Sequence, residues 1–369
     1  GHGRPRSGFF RGVWLAGQTV SATPKALEED RPSAEMLAEY LAPLQPFLTN
    51  PDLTEICINR PREVWTETRA GWQRHEVPGL GLQHCRQLAT LIASYNGKSL
   101  SPDRPILSAT LPDGARVQVL IPPACEAHTV SLTVRKPSIL DKTLAELEAE
   151  GAFEDFSEAT SGLQPFERTL LQLKQEKRLR EFLDLAVRMR RNILIVGKTG
   201  SGKTTLTKSL IRSIPADERL VTIEDVHELF LHHHPNRVHL FYAREEEGGK
   251  VTAKQALTCA LRMKPDRILL SELRGDEAWE FIKSINTGHP GSISTMHANG
   301  AYEAFEQLTA LIKDSRAGAH LETDYIKHRL FTTLDVVLFY QQYQLREIYY
   351  DPAHKQRQMG SVCAQYLTG

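Results

Sequence analysis

Residues 192–205 read N-I-L-I-V-G-K-T-G-S-G-K-T-T, an apolar run that breaks into a glycine-rich loop and then a helix striped by Leu206, Leu210, Ile211 and Ile214. Strand, loop and helix in that order are the setting in which G-x-x-x-x-G-K-T holds a phosphate chain. Glycine lets the backbone curl until successive N–H groups point inward at phosphate oxygens, and the helix N-terminus adds positive potential. Gly197, Lys198, Thr199, Gly200, Ser201, Gly202, Lys203, Thr204 and Thr205 are therefore the candidate nucleotide-binding residues. Lys203 is expected to reach the β- and γ-phosphates, and Thr204 to place a hydroxyl where Mg²⁺, a hard oxygen-seeking ion, sits. The glycine order G-x-x-G-x-G is not that of a dinucleotide fingerprint, and the chain has no Asn-Lys pair of the kind that reads guanine. ATP is the expected nucleotide.

Outward from this loop, buried strand candidates recur at 192–196, 219–223, 237–241, 267–270 and 292–296, mostly separated by helix-length segments. That alternation predicts an α/β fold with a parallel sheet. In such sheets ligands bind beyond the carboxyl ends of the strands, so acids at those ends are candidates for handling the attacking water. The run at 267–272 ends in Glu272, the candidate general base, and the run at 220–225 ends in Glu224 and Asp225. Glu224 or Asp225 would hold metal-bound water, and Thr204, Glu224 and Glu272 make up the expected metal set. His297 follows the apolar strand at 292–296, where a neutral imidazole can donate to a γ-phosphate oxygen and report its loss. His232-His233-His234 are contiguous and cannot all face one ion, so no zinc is assigned to them.

The first half has a different pattern. Apolar residues from Met36 to Leu48 predict one amphipathic helix, and Cys85 to Tyr95 another; short β-type runs lie at 55–58, 63–66, 105–111, 116–121 and 129–134. Residues 31–136 thus read as a mixed α+β domain, 137–161 as an acidic linker with a helix started by Thr143 and Glu146, and 162–369 as the nucleotide-binding domain. Residues 1–30 read as a leader, disordered or added by cloning. At 369 residues the chain exceeds the roughly 250–300 at which single cores stop growing, which also favours two domains. Forty-five basic residues balance forty-five acidic ones, so no global field favours nucleic acid. Five scattered cysteines without a C-x-x-C pair, and no apolar run long enough to span a bilayer, predict a protein of the reducing cytoplasm.

Together G-K-T-G-S-G-K-T-T, I-E-D-V-H-E-L, L-L-S-E-L-R-G-D-E-A and T-G-H-P-G-S-I-S-T-M-H-A-N resemble the Walker A, Asp-box, Walker B and His-box segments of the secretion traffic ATPases. G-A-R-V-Q-V-L-I-P-P-A at 114–124 and V-R-K-P at 134–137 are similar to the type IV secretion and conjugation branch. The resemblance implies a RecA-like C-terminal ATPase domain, a PAS-like N-terminal domain and a homohexameric ring. It further implies partners among the other secretion ATPases and inner-membrane components, with peripheral attachment to that membrane. Arg116 and Arg135 match the family's N-terminal arginines that contact phosphate from outside the RecA-like domain, and Arg262 and Arg274 are further candidates for neutralising developing charge. The expected activity is Mg-dependent ATP hydrolysis that powers pilus assembly and substrate passage. A type II secretion or pilus-retraction motor shares that chemistry. Readings of other classes are a RecA-like DNA translocase and a non-hydrolysing nucleotide switch.

Overall fold

Residues 34–159, 162–243 and 251–367 are described by a computed structural model, so the leader at 1–30 lies outside the described residues. The first apolar stripe forms α1 (Ala34–Leu41), a 3₁₀ turn (Ala42–Leu44) and α2 (Gln45–Leu48) rather than one helix. Pro43 and Pro46 are the cause: each lacks an N–H and crowds the carbonyl four residues back, so the chain tightens and restarts.

Six strands follow, with one helix among them: β1 (Glu55–Ile58), β2 (Glu63–Thr68), β3 (Gly71–Glu76), α3 (Leu82–Tyr95), β4 (Ile106–Thr110), β5 (Arg116–Leu120) and β6 (Ser131–Arg135). They form one antiparallel sheet in the order β3-β2-β1-β6-β5-β4. Alternation sets its two faces. Ile56, Val117, Val119, Leu132 and Val134 share a buried core with Leu37 and Leu88 of the helices. The intervening residues, among them Gln118 and Thr133, turn to the second half of the chain, where Gln118 meets Cys259 and Thr133 meets Arg219.

Past α4 (Leu144–Ala149), which Thr143 and Glu146 start with reciprocal hydrogen bonds, come α5 (Pro165–Gln175), α6 (Leu179–Arg188), β7 (Ile193–Val196), α7 (Lys203–Ile211), β8 (Leu220–Glu224) and β9 (Arg237–Phe241). The chain continues through α8 (Ala253–Leu261), β10 (Arg267–Leu270), α9 (Glu277–Thr287), β11 (Ile293–Met296), α10 (Ala301–Lys313), α11 (Thr323–Thr333), β12 (Val336–Gln341), β13 (Gln344–Tyr350) and α12 (Pro352–Leu367). Strands β9, β8 and β10 pair in parallel, as do β11, β7 and β12, and β13 closes the edge antiparallel to β12. The two sets meet along β10 and β11, where the Leu273 N–H donates to the Thr295 carbonyl at 2.9 Å and the Thr295 hydroxyl to the Ser271 carbonyl at 2.6 Å. The spatial order is thus β9-β8-β10-β11-β7-β12-β13. On β7, Leu194 and Val196 enter one core while Ile193 and Ile195 enter the other, the two-sided burial that an all-apolar parallel strand requires.

Buried Arg219 ties the two halves together. Its guanidinium donates to Asn59 Oδ1 at 2.8 Å, Asn236 Oδ1 at 2.7 Å and the Met263 carbonyl at 2.9 Å. Cys57, Cys85, Cys125 and Cys259 are buried free thiols, and the side chain of Cys363 lies outside the described residues. Among the described residues no helix is long and apolar enough to cross a membrane.

Candidate active site

Strand order places the chemistry. Strand β11 lies beside β7 with Met296 opposite Val196, so His297 leaves its strand next to the loop that begins at Gly197. Strand β10 is next, and Glu272 follows it by two residues. The ends of β7 and β11 bound a cleft of about 490 Å³ lined by Gly197, Lys198, Thr199, His297, Asn299 and Glu303, and Glu272 touches the His297 that lines it.

The loop is shaped by its glycines. Gly200 and Gly202 have φ of +78° and +97°, in the left-handed region that a side chain disfavours. A Cβ on Gly197 would stand 2.3 Å from the Tyr340 carbonyl oxygen, and one on Gly202 2.7 Å from the Tyr343 ring. The β12–β13 hairpin therefore walls the loop, and the Tyr343 N–H donates to the Ser201 carbonyl at 3.0 Å. Sequence reading missed these tyrosines, because their contact with the loop comes from strand pairing and not from a motif. Inside the loop, Lys203 Nζ donates to the Gly197 and Lys198 carbonyls, both at 2.9 Å. Burial lowers the pKa of this ammonium, and the Glu272 charge opposes that shift. Thr204, in the first turn of α7, is exposed.

Glu272 is a mostly enclosed carboxylate. His297 Nε2 stands 2.8 Å from its Oε1, and Arg274 binds its Oε2 while reaching Asp225 Oδ2 at 3.3 Å. Burial, followed by the Lys203 charge, lowers the His297 pKa below its ordinary 6.5. Both causes favour the neutral imidazole.

Glu224 is not in this group. It ends β8, with β10 and β11 between it and β7. Its carboxylate is fully buried and spent elsewhere. Oε1 accepts the N–H groups of Glu228 and Leu229 at 3.0 and 2.8 Å, and Oε2 accepts the Thr222 hydroxyl at 2.9 Å and faces His227 and His239. The expected catalytic and metal-holding role of Glu224 is corrected to one of organising the turn after β8. Asp225 is the acid of that pair joined to Glu272, through Arg274.

Arg116 and Arg135 are likewise not brought to the phosphate loop of their own chain. They sit opposite each other on β5 and β6, facing a separate groove of about 370 Å³ shared with Lys98 and Arg262, and Arg135 pairs with Glu55 at 2.7 Å. The reason is topological: both strands belong to the N-terminal sheet, whose polar face meets α8 rather than the end of β7. Of the three contiguous histidines, His234 turns inward. It is buried, its Nε2 lies 2.8 Å from the Ile214 carbonyl, and burial lowers its pKa.

With this geometry in hand, comparison with known proteins decides the family. Residues 38–346 match the model of the type II/IV secretion system proteins. The chain belongs to that family, in its type IV traffic ATPase branch. The type IV secretion system protein VirB11 of Brucella suis is 44% identical over 326 residues, which are 86% of this chain and 90% of the relative. The type IV secretion system protein PtlH of Bordetella pertussis is 42% identical over 81% of this chain and 88% of its own length. The crystal structure of the Brucella suis VirB11 ATPase in complex with sulphate superposes with a TM-score of 0.82 at 42% identity, covering 88% of this chain and all of that one. A RecA-like P-loop domain preceded by an N-terminal domain is thus the fold of this traffic ATPase.

Proposed function

We propose that this traffic ATPase hydrolyses Mg-ATP in the cleft between the phosphate loop and His297, and that the cycle drives a type IV secretion apparatus. The alignment of three strand ends carries the reading: β7 supplies the phosphate loop, β11 the imidazole and β10 the carboxylate. The loop amides and Lys203 hold the triphosphate, whose charge replaces the two carbonyls that now engage the ammonium. Glu272 accepts the proton of the attacking water as its oxygen bonds to the γ-phosphorus, and the β–γ bridging oxygen leaves with ADP. Neutral His297 donates to a γ-phosphate oxygen, so its contact with Glu272 is made and broken with the nucleotide state.

The oxygen donors fit magnesium. The exposed Thr204 hydroxyl and the Glu272 carboxylate would hold it directly or through water; the spent carboxylate of Glu224 would not. Held by those residues, the ion would supply positive charge to offset that of the nucleotide phosphates.

Residues 31–136 and 162–369 act as two domains joined by the 137–161 linker, and the working form is a homohexameric ring at the cytoplasmic side of the inner membrane, beside the other secretion ATPases. In such a ring Arg116 and Arg135, turned from their own phosphate loop, serve the nucleotide of a neighbour. Steady-state phosphate release tests the site: Lys203→Ala and Glu272→Gln should both fall to background, the second still binding ATP, and unchanged turnover in both refutes it. Mixed rings test the trans role. Lys203→Ala chains combined with Arg135→Ala chains should recover activity that neither has alone, and no recovery counts against sharing.

A further inference from the structure

Away from the cleft, two imidazoles and a carboxylate converge on one point. Glu126 lies on the segment between β5 and β6, His227 on the turn after β8, and His239 on β9. One ligand atom from each falls within 4.8 Å of the other two. His239 is buried, while the other two are part-exposed, so the point opens to solvent on one side.

The hydrogen-bond network assigns both tautomers. His239 Nδ1 is 2.8 Å from the Thr222 hydroxyl, which itself donates to Glu224 Oε2 at 2.9 Å. His239 Nδ1–H is therefore the donor in that chain. His227 Nδ1 is 3.2 Å from the same Glu224 oxygen and donates to it. Each ring thus carries its proton on Nδ1 and turns the Nε2 lone pair toward Glu126. Those lone pairs stand 3.7 and 3.9 Å from the Glu126 oxygens, beyond hydrogen-bond reach, and His227 Nε2 is buried without a hydrogen-bond partner. Two lone pairs and an anion facing one another call for a cation.

We propose that Glu126, His227 and His239 form a zinc site. Two imidazole nitrogens and a carboxylate oxygen are a donor set that zinc takes with a water in the fourth, open position. Tetrahedral ligands at about 2.0–2.1 Å lie about 3.3 Å apart, so closure needs only side-chain rotations from the present spacing. Buried Glu224 supplies the outer hydrogen bonds that orient metal-binding imidazoles and raise their basicity. The site also has a mechanical consequence. Glu126 rides on the segment whose Ala124 carbonyl already accepts the Phe241 N–H at 2.9 Å, so the ion pins the N-terminal sheet to β8 and β9.

The test uses the full chain, free of nucleotide so that the phosphate loop offers no competing metal site. Dialysis against Zn²⁺ followed by gel filtration should leave about one zinc per chain, and Co²⁺ in its place should give the intense visible bands of tetrahedral coordination. Zinc should also raise Tm as it saturates. Glu126→Gln and His227→Ala should weaken binding by more than about 100-fold, since even outer hydrogen-bond partners are worth about 10- to 100-fold. The double substitution His232→Ala/His233→Ala should leave uptake intact. Wild-type uptake no greater than that of Glu126→Gln, or loss that follows His232 and His233 instead, overturns the site. Should His227→Ala fail to fold, Glu126→Gln on its part-exposed segment decides alone.

Discussion

His297 Nε2 stands 2.8 Å from Glu272 Oε1, so the proposed reader of the γ-phosphate touches the proposed base. Burial and the Lys203 charge both favour the neutral imidazole. Nuclear magnetic resonance titration should therefore give His297 a pKa below 6.5, and Lys203→Met should move it upward by removing one of the two causes. The acid limb of kcat/KM should also fall at a pH below 6.5. A His297 titration above 6.5 in the nucleotide-free protein contradicts this.

Gly197 and Gly200 separate two costs. Alanine at 197 drives a Cβ into the backbone of Tyr340, which cannot yield without moving β12, whereas alanine at 200 meets open space and bears only the strain of positive φ. Urea unfolding should show a loss of about 3 kcal/mol for Gly197→Ala and about 1–2 kcal/mol for Gly200→Ala. Equal or reversed losses would mean that the hairpin does not wall the loop.

Arg219 holds Asn59 and Asn236 in a buried polar junction between the two sheets. Arg219→Leu leaves Asn59 Oδ1 without its donor and leaves Asn236 Oδ1 only the Asn59 amide, at 3.0 Å, and should cost about 3 kcal/mol in urea denaturation. A change under about 0.5 kcal/mol would show the junction to be dispensable.

His234 gives the fold an acid-sensitive point. Between its lowered folded value and 6.5 the unfolded chain binds a proton that the folded chain refuses, so stability rises with pH across that window and falls as pH drops from 6.5. His234→Asn should flatten this part of the Tm profile. A variant with the wild-type slope assigns the sensitivity to other groups.

The strands of the nucleotide-binding sheet up to β11 were legible because parallel strands buried on both faces read as short apolar runs, as at Ile193 to Val196. The hairpin of β12 and β13 was not read. It turns at Gln342 and Tyr343, whose φ values of +51° and +60° give the turn without the Asn-Gly pair that marks one in sequence. Strand β3 was also missed, because an edge strand with half-exposed polar residues has no apolar alternation to show. In the site, Lys203, Glu272 and His297 were legible from motif spacing, and strand order brings them to one end of the sheet. Glu224 was misplaced because the order of β8 relative to β7 is tertiary information. An acid at a strand end carries the same local signal whether it faces a cleft or closes a turn.

Single-turnover hydrolysis by Glu272→Gln tests the central claim most directly. Preloaded with labelled Mg-ATP and quenched at intervals, the variant should keep its ATP intact while wild type converts it to ADP and phosphate. Cleavage at the wild-type rate in the variant would remove Glu272 from the reaction and contradict the account.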